Sequence, residues 1–419
     1  MGGTKAMVTA VNTTPRYRAS GRIFSKIAEY HPELTAFRRD LHSHPELGFE
    51  EVYTAARVKE ALTLCGVDEV HTGIGKTGVV GVVRGRGTRA NAIGLRADMD
   101  ALPLQEHNEF GWKSAQSGLM HACGHDGHTA MLIGAARYLA ETRNFDGTAV
   151  LIFQPGEEGY AGARAMMQDG LFDRFPCDKV FAQHNSPETP LGIIGVTPGP
   201  MQAAVDRIEI TVRAKGGHGA RPHNGVDAVL VAAHIITAAQ SIVARNVSAF
   251  DQAVISICSL QAGNPGAMSV MPGEAVLVGT VRSYREEVQT LVEARLTALC
   301  QSIAQGFGAE AFINYERVYP ATVNTVPEAH FAADVAASLV GEEQVWRNMA
   351  PSMGGEDFSF MLQAVPGAYV RIGQGTQDGN YLHNSRYDFN DEILPLGAAF
   401  HASLIEQAMP LFPVISPKL

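Results

Sequence analysis

The sequence has no block of basic residues, no closely paired cysteines and no long apolar run. Lys and Arg number 33 against 43 Asp and Glu, for a net charge of −10. Nucleic-acid binding needs a clustered positive face to neutralise phosphates, so that class is set aside. The five cysteines, at 65, 123, 177, 258 and 300, are odd in number and scattered, with no CxxC pair. This excludes a disulfide framework and suits a reducing compartment. No segment offers the roughly 18 consecutive apolar residues of a membrane helix. The first twenty residues, MGGTKAMVTAVNTTPRYRAS, are polar and lack the apolar run of a signal peptide. A cytoplasmic protein with no nucleic-acid or membrane partner is expected, its first twenty residues loose. Two tryptophans give no handle on the shape of any pocket.

What is present is an ordinary globular composition, 46% hydrophobic and 18% charged. At 419 residues the chain is too long for one compact core, which predicts two domains. Glycine, at 43, exceeds the usual share of about 7% and implies many tight turns.

Residues 32–42 and 53–64 read as helices, the second with Ala55, Val58, Ala61 and Leu62 at helical spacing. Apolar runs at 78–83, 92–95, 148–153 and 179–182, with a helix at 129–141 among them, predict an α/β unit with a largely parallel sheet. From about residue 203 the pattern alternates apolar and polar. Strands at 205–213, 253–260, 274–282 and 311–317, with helices at 226–244 and 286–305, follow the order of a ferredoxin-like fold. The α/β pattern resumes near residue 325, with a strand at 368–372 and a last helix ending near Gln407. The expected layout is a catalytic unit of residues 21–203 with 319–419, carrying an inserted α+β unit of residues 204–318.

Unusual polar residues fall just after the apolar runs: RAD (96–98), FQPGEE (153–158), QHN (183–185) and LHN (382–384). The stretch MHACGHDGHTA (120–130) sits in the loop before the predicted helix at Thr129. In an open parallel sheet, ligands bind beyond the carboxyl ends of the strands, so these clusters should converge. Thiol, imidazole and carboxylate together suit Zn, Co, Ni or Mn better than Ca or Mg. Cys123 and His125 are separated only by Gly124, so one tight turn can aim both at a metal. A cation keeps such a cysteine as thiolate, and two metal ions lower the pKa of water and polarise a carbonyl.

Neighbouring side chains on extended backbone point to opposite sides. One of Glu157 and Glu158 can therefore bind metal while the other faces an open position and moves a proton. His184 and His383 gain weight as ligands in this company. His121 and His128 are expected to support ligands, and His42 and His44 to be structural. Cys65, Cys177, Cys258 and Cys300 read as small core hydrophobes. For Cys123 the alternative is a nucleophile working with His125 or His128.

RRDLHSHPELGFEE (38–51), GLRADMDALP (94–103), MHACGHDGHTA (120–130), FQPGEEGYAGARAMMQDG (153–170), GGHGARPHNGVDA (216–228) and YLHNSRYDFND (381–391) resemble successive motifs of one family. It is peptidase family M20, the dimetal metallopeptidases of the aminoacylases and glutamate carboxypeptidases. The similarity is to its amidohydrolase branch of hippurate hydrolases, N-acyl-L-amino-acid amidohydrolases and indole-acetyl-amino-acid hydrolases. The resemblance implies a catalytic α/β domain with an inserted ferredoxin-like lid that also dimerises, hence a homodimer or higher homo-oligomer. It implies two divalent metal ions (Zn, Mn, Co or Ni) on Cys123, His125, Glu158, His184 and His383, with Cys123 the bridge, and Glu157 as general acid/base. Asp98 takes the place of the aspartate in the family's HxD motif, with Arg96 where the histidine stands. His218 matches a lid histidine that holds the developing oxyanion in a partner's site, and Arg282 a lid arginine near the substrate carboxylate.

Two departures stand out. MSVMP (268–272) puts Ser269 where relatives carry an asparagine, exchanging an amide for a short hydroxyl at a substrate-binding position. PSMGGEDF has Gly355 where a small residue such as serine is expected. The implied reaction is hydrolysis of the amide of an N-acyl or N-aroyl amino acid, giving a carboxylic acid and a free amino acid. Its rivals are a dipeptidase or carboxypeptidase of the same family, a Cys123-nucleophile hydrolase, and a non-catalytic binding protein.

Overall fold

Alternation within the apolar runs decides which core each side chain joins. In the strand Thr148–Gln154, Leu151 and Phe153 enter one hydrophobic cluster while Val150 and Ile152 enter another. A strand buried on both faces by helices reads as a continuous apolar run for this reason. The computed structural model describes residues 16–376 and 379–411. Its main sheet has eight strands, in the order Glu69–Ile74, Gly78–Arg84, Thr148–Gln154, Ala92–Asp98, Lys179–Ser186, Gly367–Gly373, Ile194–Gly195 and Val345–Trp346. The four central strands, from Thr148–Gln154 to Gly367–Gly373, are parallel. Gly78–Arg84 runs antiparallel to both its neighbours, because Gly75 and Lys76, both at positive φ, turn it back on Glu69–Ile74.

The helices His31–Ser43, Val52–Leu64, His125–Thr142 and Leu394–Ala408 cover one face. Met166, Phe358 and Met361 help fill the other. The third of these helices starts at His125, four residues before the sequence expectation. Gly124 makes this possible: its φ of 90° is left-handed, and a β-carbon there would press on Asn185 and the Tyr387 hydroxyl. The segment before Arg22 also differs from expectation in part. Residues 1–15 lie outside the described residues, but Arg16 pairs with Glu392, and the Tyr17 hydroxyl donates to the Glu392 carbonyl at 2.9 Å.

A separate four-stranded antiparallel sheet, ordered Ala253–Ala262, Glu274–Ser283, Ala204–Arg213 and Glu310–Tyr319, carries the helices Ala228–Arg245 and Glu286–Gly306 on one face. This is the ferredoxin-like arrangement. Ile208, Ile210 and Val212 face the helices, with polar residues between them turned outward. The helix Ala228–Arg245 is long and apolar enough to cross a membrane by length and composition. Its Val231, Ala232, Ile235, Ala239 and Ile242 instead pack into this unit's own core.

Candidate metal centre and active site

Each parallel strand delivers functional side chains at or beyond its carboxyl end. Ala92–Asp98 ends in Asp98 and leads to Asp100, and Thr148–Gln154 leads through Pro155 and Gly156 to Glu157 and Glu158. Lys179–Ser186 holds His184, and the chain after Gly367–Gly373 reaches His383. Cys123 and His125 flank the Gly124 cap.

Cys123, His125 and His184 offer ligand atoms within 4.8 Å of one another, and Cys123, Glu158 and His383 form a second such group. Cys123 belongs to both, and its Sγ lies 3.4 Å from His184 Nε2. His125 Nε2 is buried with no hydrogen-bond partner among the described residues. Glu158 Oε1 is likewise unsatisfied, though 3.2 Å from His383 Nε2. Buried polar atoms are almost always paired, so orphaned donor atoms converging on a thiol fit a metal. The residues present therefore suit divalent ions.

Supporting groups fix these ligands. His125 Nδ1 donates to the Asp100 carbonyl at 2.9 Å, and Asp100 Oδ2 accepts from the Glu158 amide at 2.9 Å. One aspartate thus orients a proposed ligand from each cluster. His184 Nδ1 lies 2.7 Å from the Asn185 carbonyl. The His383 amide donates to the Ala122 carbonyl at 2.8 Å, with His383 at a φ of 61°. The left-handed backbone turns its loop back onto the Cys123 segment.

Glu157 is buried, and its oxygens lie with those of Glu356 and Asp357 in one acidic group. Burial first, then Glu356, Glu158 and Asp357, pushes its carboxyl well above the usual range. Asp357 is pushed up to about 8 by burial, against the pull of Arg96. Burial also raises the Cys123 thiol, helped by Glu158, and lowers His184, helped by His128. For His125 burial opposes the charge, and Asp98, Cys123 and Asp100 together outweigh it. A cation among these groups favours the thiolate and the neutral imidazoles, so ion binding and proton release are coupled.

Arg96 spans this region. Its guanidinium donates to Asp98 at 2.7 Å, Glu356 at 2.9 Å and Asp357 at 3.1 Å, with a further bond to Gln154 at 2.8 Å. Asp98 is fully buried and also holds His128 Nδ1 at 2.6 Å, while His128 Nε2 meets Asn185 Oδ1 at 2.7 Å. His128 therefore braces the site through hydrogen bonds at both ring nitrogens.

A cavity of about 400 Å³ opens here, lined by Cys123, Glu157, Glu158, His184 and His383. Arg282 of the inserted sheet lines it too. His218 and Ser269 do not join this lining. His218 is exposed and pairs with Val270 in a two-stranded ribbon, and the exposed Ser269 accepts from the Gly219 amide at 2.7 Å.

Sequence reasoning passed over Asp100, Glu51 and Arg371. Glu51 accepts from the Gly156 amide at 2.8 Å, just ahead of Glu157. The available signal for Asp100 is its spacing: two residues beyond Asp98, it falls in the same strand-end cluster.

A parallel sheet whose strand ends gather a shared thiol, imidazoles and paired carboxylates defines a metallohydrolase. The chain belongs to the peptidase family M20/M25/M40, which matches residues 94–407. It is 42% identical to the hippurate hydrolase of Campylobacter jejuni, over 91% of this chain and 98% of that protein. It is 38% identical to N-acetylcysteine deacetylase of Bacillus subtilis, over 90% of this chain and 96% of that one. A solved structure from Bacillus subtilis, YXEP, described as a dinuclear metal binding peptidase of the M20 family, superposes with a TM-score of 0.78. That structure is 34% identical, the match covering 91% of this chain and 99% of that one.

Proposed function

We propose that this chain is a metal-dependent amidohydrolase that cleaves the amide of N-acyl or N-aroyl amino acids, releasing a carboxylic acid and a free amino acid. The observation that carries the reading is the Cys123 thiol common to two ligand groups beside a cavity lined by Glu157. The hydrolysis of hippurate and of N-acetylcysteine named for the two relatives is the same amide chemistry on different acyl groups.

In this reading Cys123, His125, Glu158, His184 and His383 hold two divalent ions of Zn, Mn, Co or Ni. Bound ions would supply a lowered pKa for water and polarisation of the amide carbonyl. Glu157 takes a proton from the attacking water and delivers it to the amine nitrogen as the C–N bond breaks. Its burial and acidic neighbours support the protonated state that the second half of this cycle requires. Asp98 serves as a positioning group through His128, and Arg282 meets the substrate carboxylate.

Residues 204–318 form the proposed lid and dimerisation unit, and residues 21–203 with 319–419 the catalytic unit. The exposure of His218 and Ser269 supports roles in a neighbouring copy's cavity, and hence a homodimer. His218 of the partner subunit would then contact the oxyanion. The five unpaired cysteines support a cytoplasmic, reducing setting.

The test is a panel of N-acetyl, N-benzoyl and indole-acetyl amino acids with dipeptides, assayed with Mn, Co, Ni and Zn. Hydrolysis of the N-acyl compounds, abolished by a chelator and restored by metal, is expected. Dipeptides turned over well ahead of every N-acyl amino acid would replace the reading with a peptidase. Activity indifferent to the chelator but lost to a thiol alkylator would replace it with a cysteine hydrolase.

A further inference from the structure

Two guanidinium groups line the cavity that holds Cys123 and Glu157: Arg282 of the inserted sheet and Arg371 of the central strand Gly367–Gly373. Arg371 pairs in register with His184. Paired residues on adjacent strands project to the same face, so the sheet itself puts Arg371 beside a proposed metal ligand. In the strand GAYVRIG every residue but Arg371 is buried. A cation placed in such a strand loses hydration, a loss that an anionic partner offsets.

Arg371 has no such partner among the described residues. Its Nη2 donates to the neutral Gln202 Oε1 at 3.1 Å. Arg282 Nη1 is buried with no hydrogen-bond partner among the described residues. Neither arginine takes part in an ion pair among the described residues. Tyr369, two residues before Arg371 and so on the same face, lines the cavity as well. It is fully buried, and its hydroxyl has no hydrogen-bond partner among the described residues. Two cations and a phenol thus face one cavity with unused donors.

An N-acyl amino acid with a neutral side chain and acyl group brings one carboxylate, which a single guanidinium fork can hold. We propose that Arg371, with the Tyr369 hydroxyl, receives a second carboxylate, so that the preferred substrates are doubly anionic N-acyl amino acids. Arg282 takes the other carboxylate. The inference rests on the amide-hydrolysis reading above and narrows its substrate class. The second carboxylate belongs either to the amino-acid side chain or to the far end of a dicarboxylic acyl group, and both present the same chemistry to Arg371.

Paired substrates test it: N-acetyl-L-glutamate against N-acetyl-L-glutamine for the side chain, and N-succinyl-L-leucine against N-butanoyl-L-leucine for the acyl end. At least one charged member should exceed its neutral partner in kcat/KM, and the excess identifies the source. In Arg371→Gln that ratio should fall by about 10- to 100-fold, the effect of losing one charge-assisted hydrogen-bonding partner. Arg371→Lys should retain part of it. A ratio within one preparation does not depend on the fraction folded. Neutral members preferred in both pairs, or a ratio unmoved by Arg371→Gln, would overturn the proposal. Calorimetric binding of the same pairs to the metal-loaded Glu157→Gln protein separates the two readings. Charge preference there without turnover in the wild type would sink amide hydrolysis and keep the Arg371 site.

Discussion

Gly355 and Val205 meet across the cavity so closely that a β-carbon on the glycine would run into Val205 Cγ2. The absence of serine at 355 is therefore tied to a side chain of the inserted sheet. Gly355→Ala should lower stability by about 1–3 kcal/mol through overpacking, and Val205→Ala in the same chain should recover most of it. Urea midpoints of the two single variants and the double variant give the answer. A Gly355→Ala protein as stable as wild type would show that the two residues are free to part.

Cys123 joins both ligand groups, whereas His184 and His383 each belong to one. Elemental analysis of purified protein should accordingly find two ions per wild-type chain and none held tightly by Cys123→Ala. His184→Ala and His383→Ala should each retain one ion. Equal losses in all three variants would mean that the thiol is an ordinary ligand.

Glu157→Gln preserves shape and removes the proton carrier. A fall in kcat of about 10²- to 10⁴-fold is expected, with unchanged metal content. The Tyr319 hydroxyl bonds to the Glu157 carbonyl at 2.6 Å, which keeps the backbone in place whatever the side chain. Retained turnover would assign the proton transfers elsewhere.

His42 carries a pH signature. Burial disfavours its charge, but Asp126, 2.8 Å from Nδ1, and Glu106, 3.3 Å from Nε2, together prevail and raise the pKa from 6.5 to about 9. A group raised on folding stabilises the protein below its unfolded pKa and loses that contribution as pH climbs through the folded one. Wild type should lose up to about 3 kcal/mol relative to His42→Asn between pH 6.5 and 9. Chemical denaturation at several pH values measures this, and parallel curves for the two proteins would refute it.

The strand-end clusters could be read in the sequence because each apolar run and its polar tail are contiguous. Cys123, His125, Glu158, His184 and His383 come together in the fold as the parallel sheet demands. Other features depend on what no run of residues displays. Gly124 at positive φ lets the helix begin at His125, and that start hides inside a stretch that looks like loop. The strands Ile194–Gly195 and Val345–Trp346 have two residues each, too few for any periodicity. His42 looks like a distant helix-end residue until the fold sets it against Asp126, in the first turn beyond Gly124. Arg371 hides in the opposite way, as one charge in a run that otherwise reads as core.

The four-stranded sheet leaves the larger unit at Ala204 and returns to it at Tyr319, and Val205 and Tyr319 are partners across adjacent strands. The two seams of this 200s-to-300s segment therefore lie side by side, as they would in a cassette. Splicing a relative's cassette at these two seams exchanges Arg282, His218 and Ser269 together while Cys123, Glu157 and Arg371 stay on the host chain. Selectivity that travels with the transplant and selectivity that stays behind can then be told apart within a single pair of chimeras.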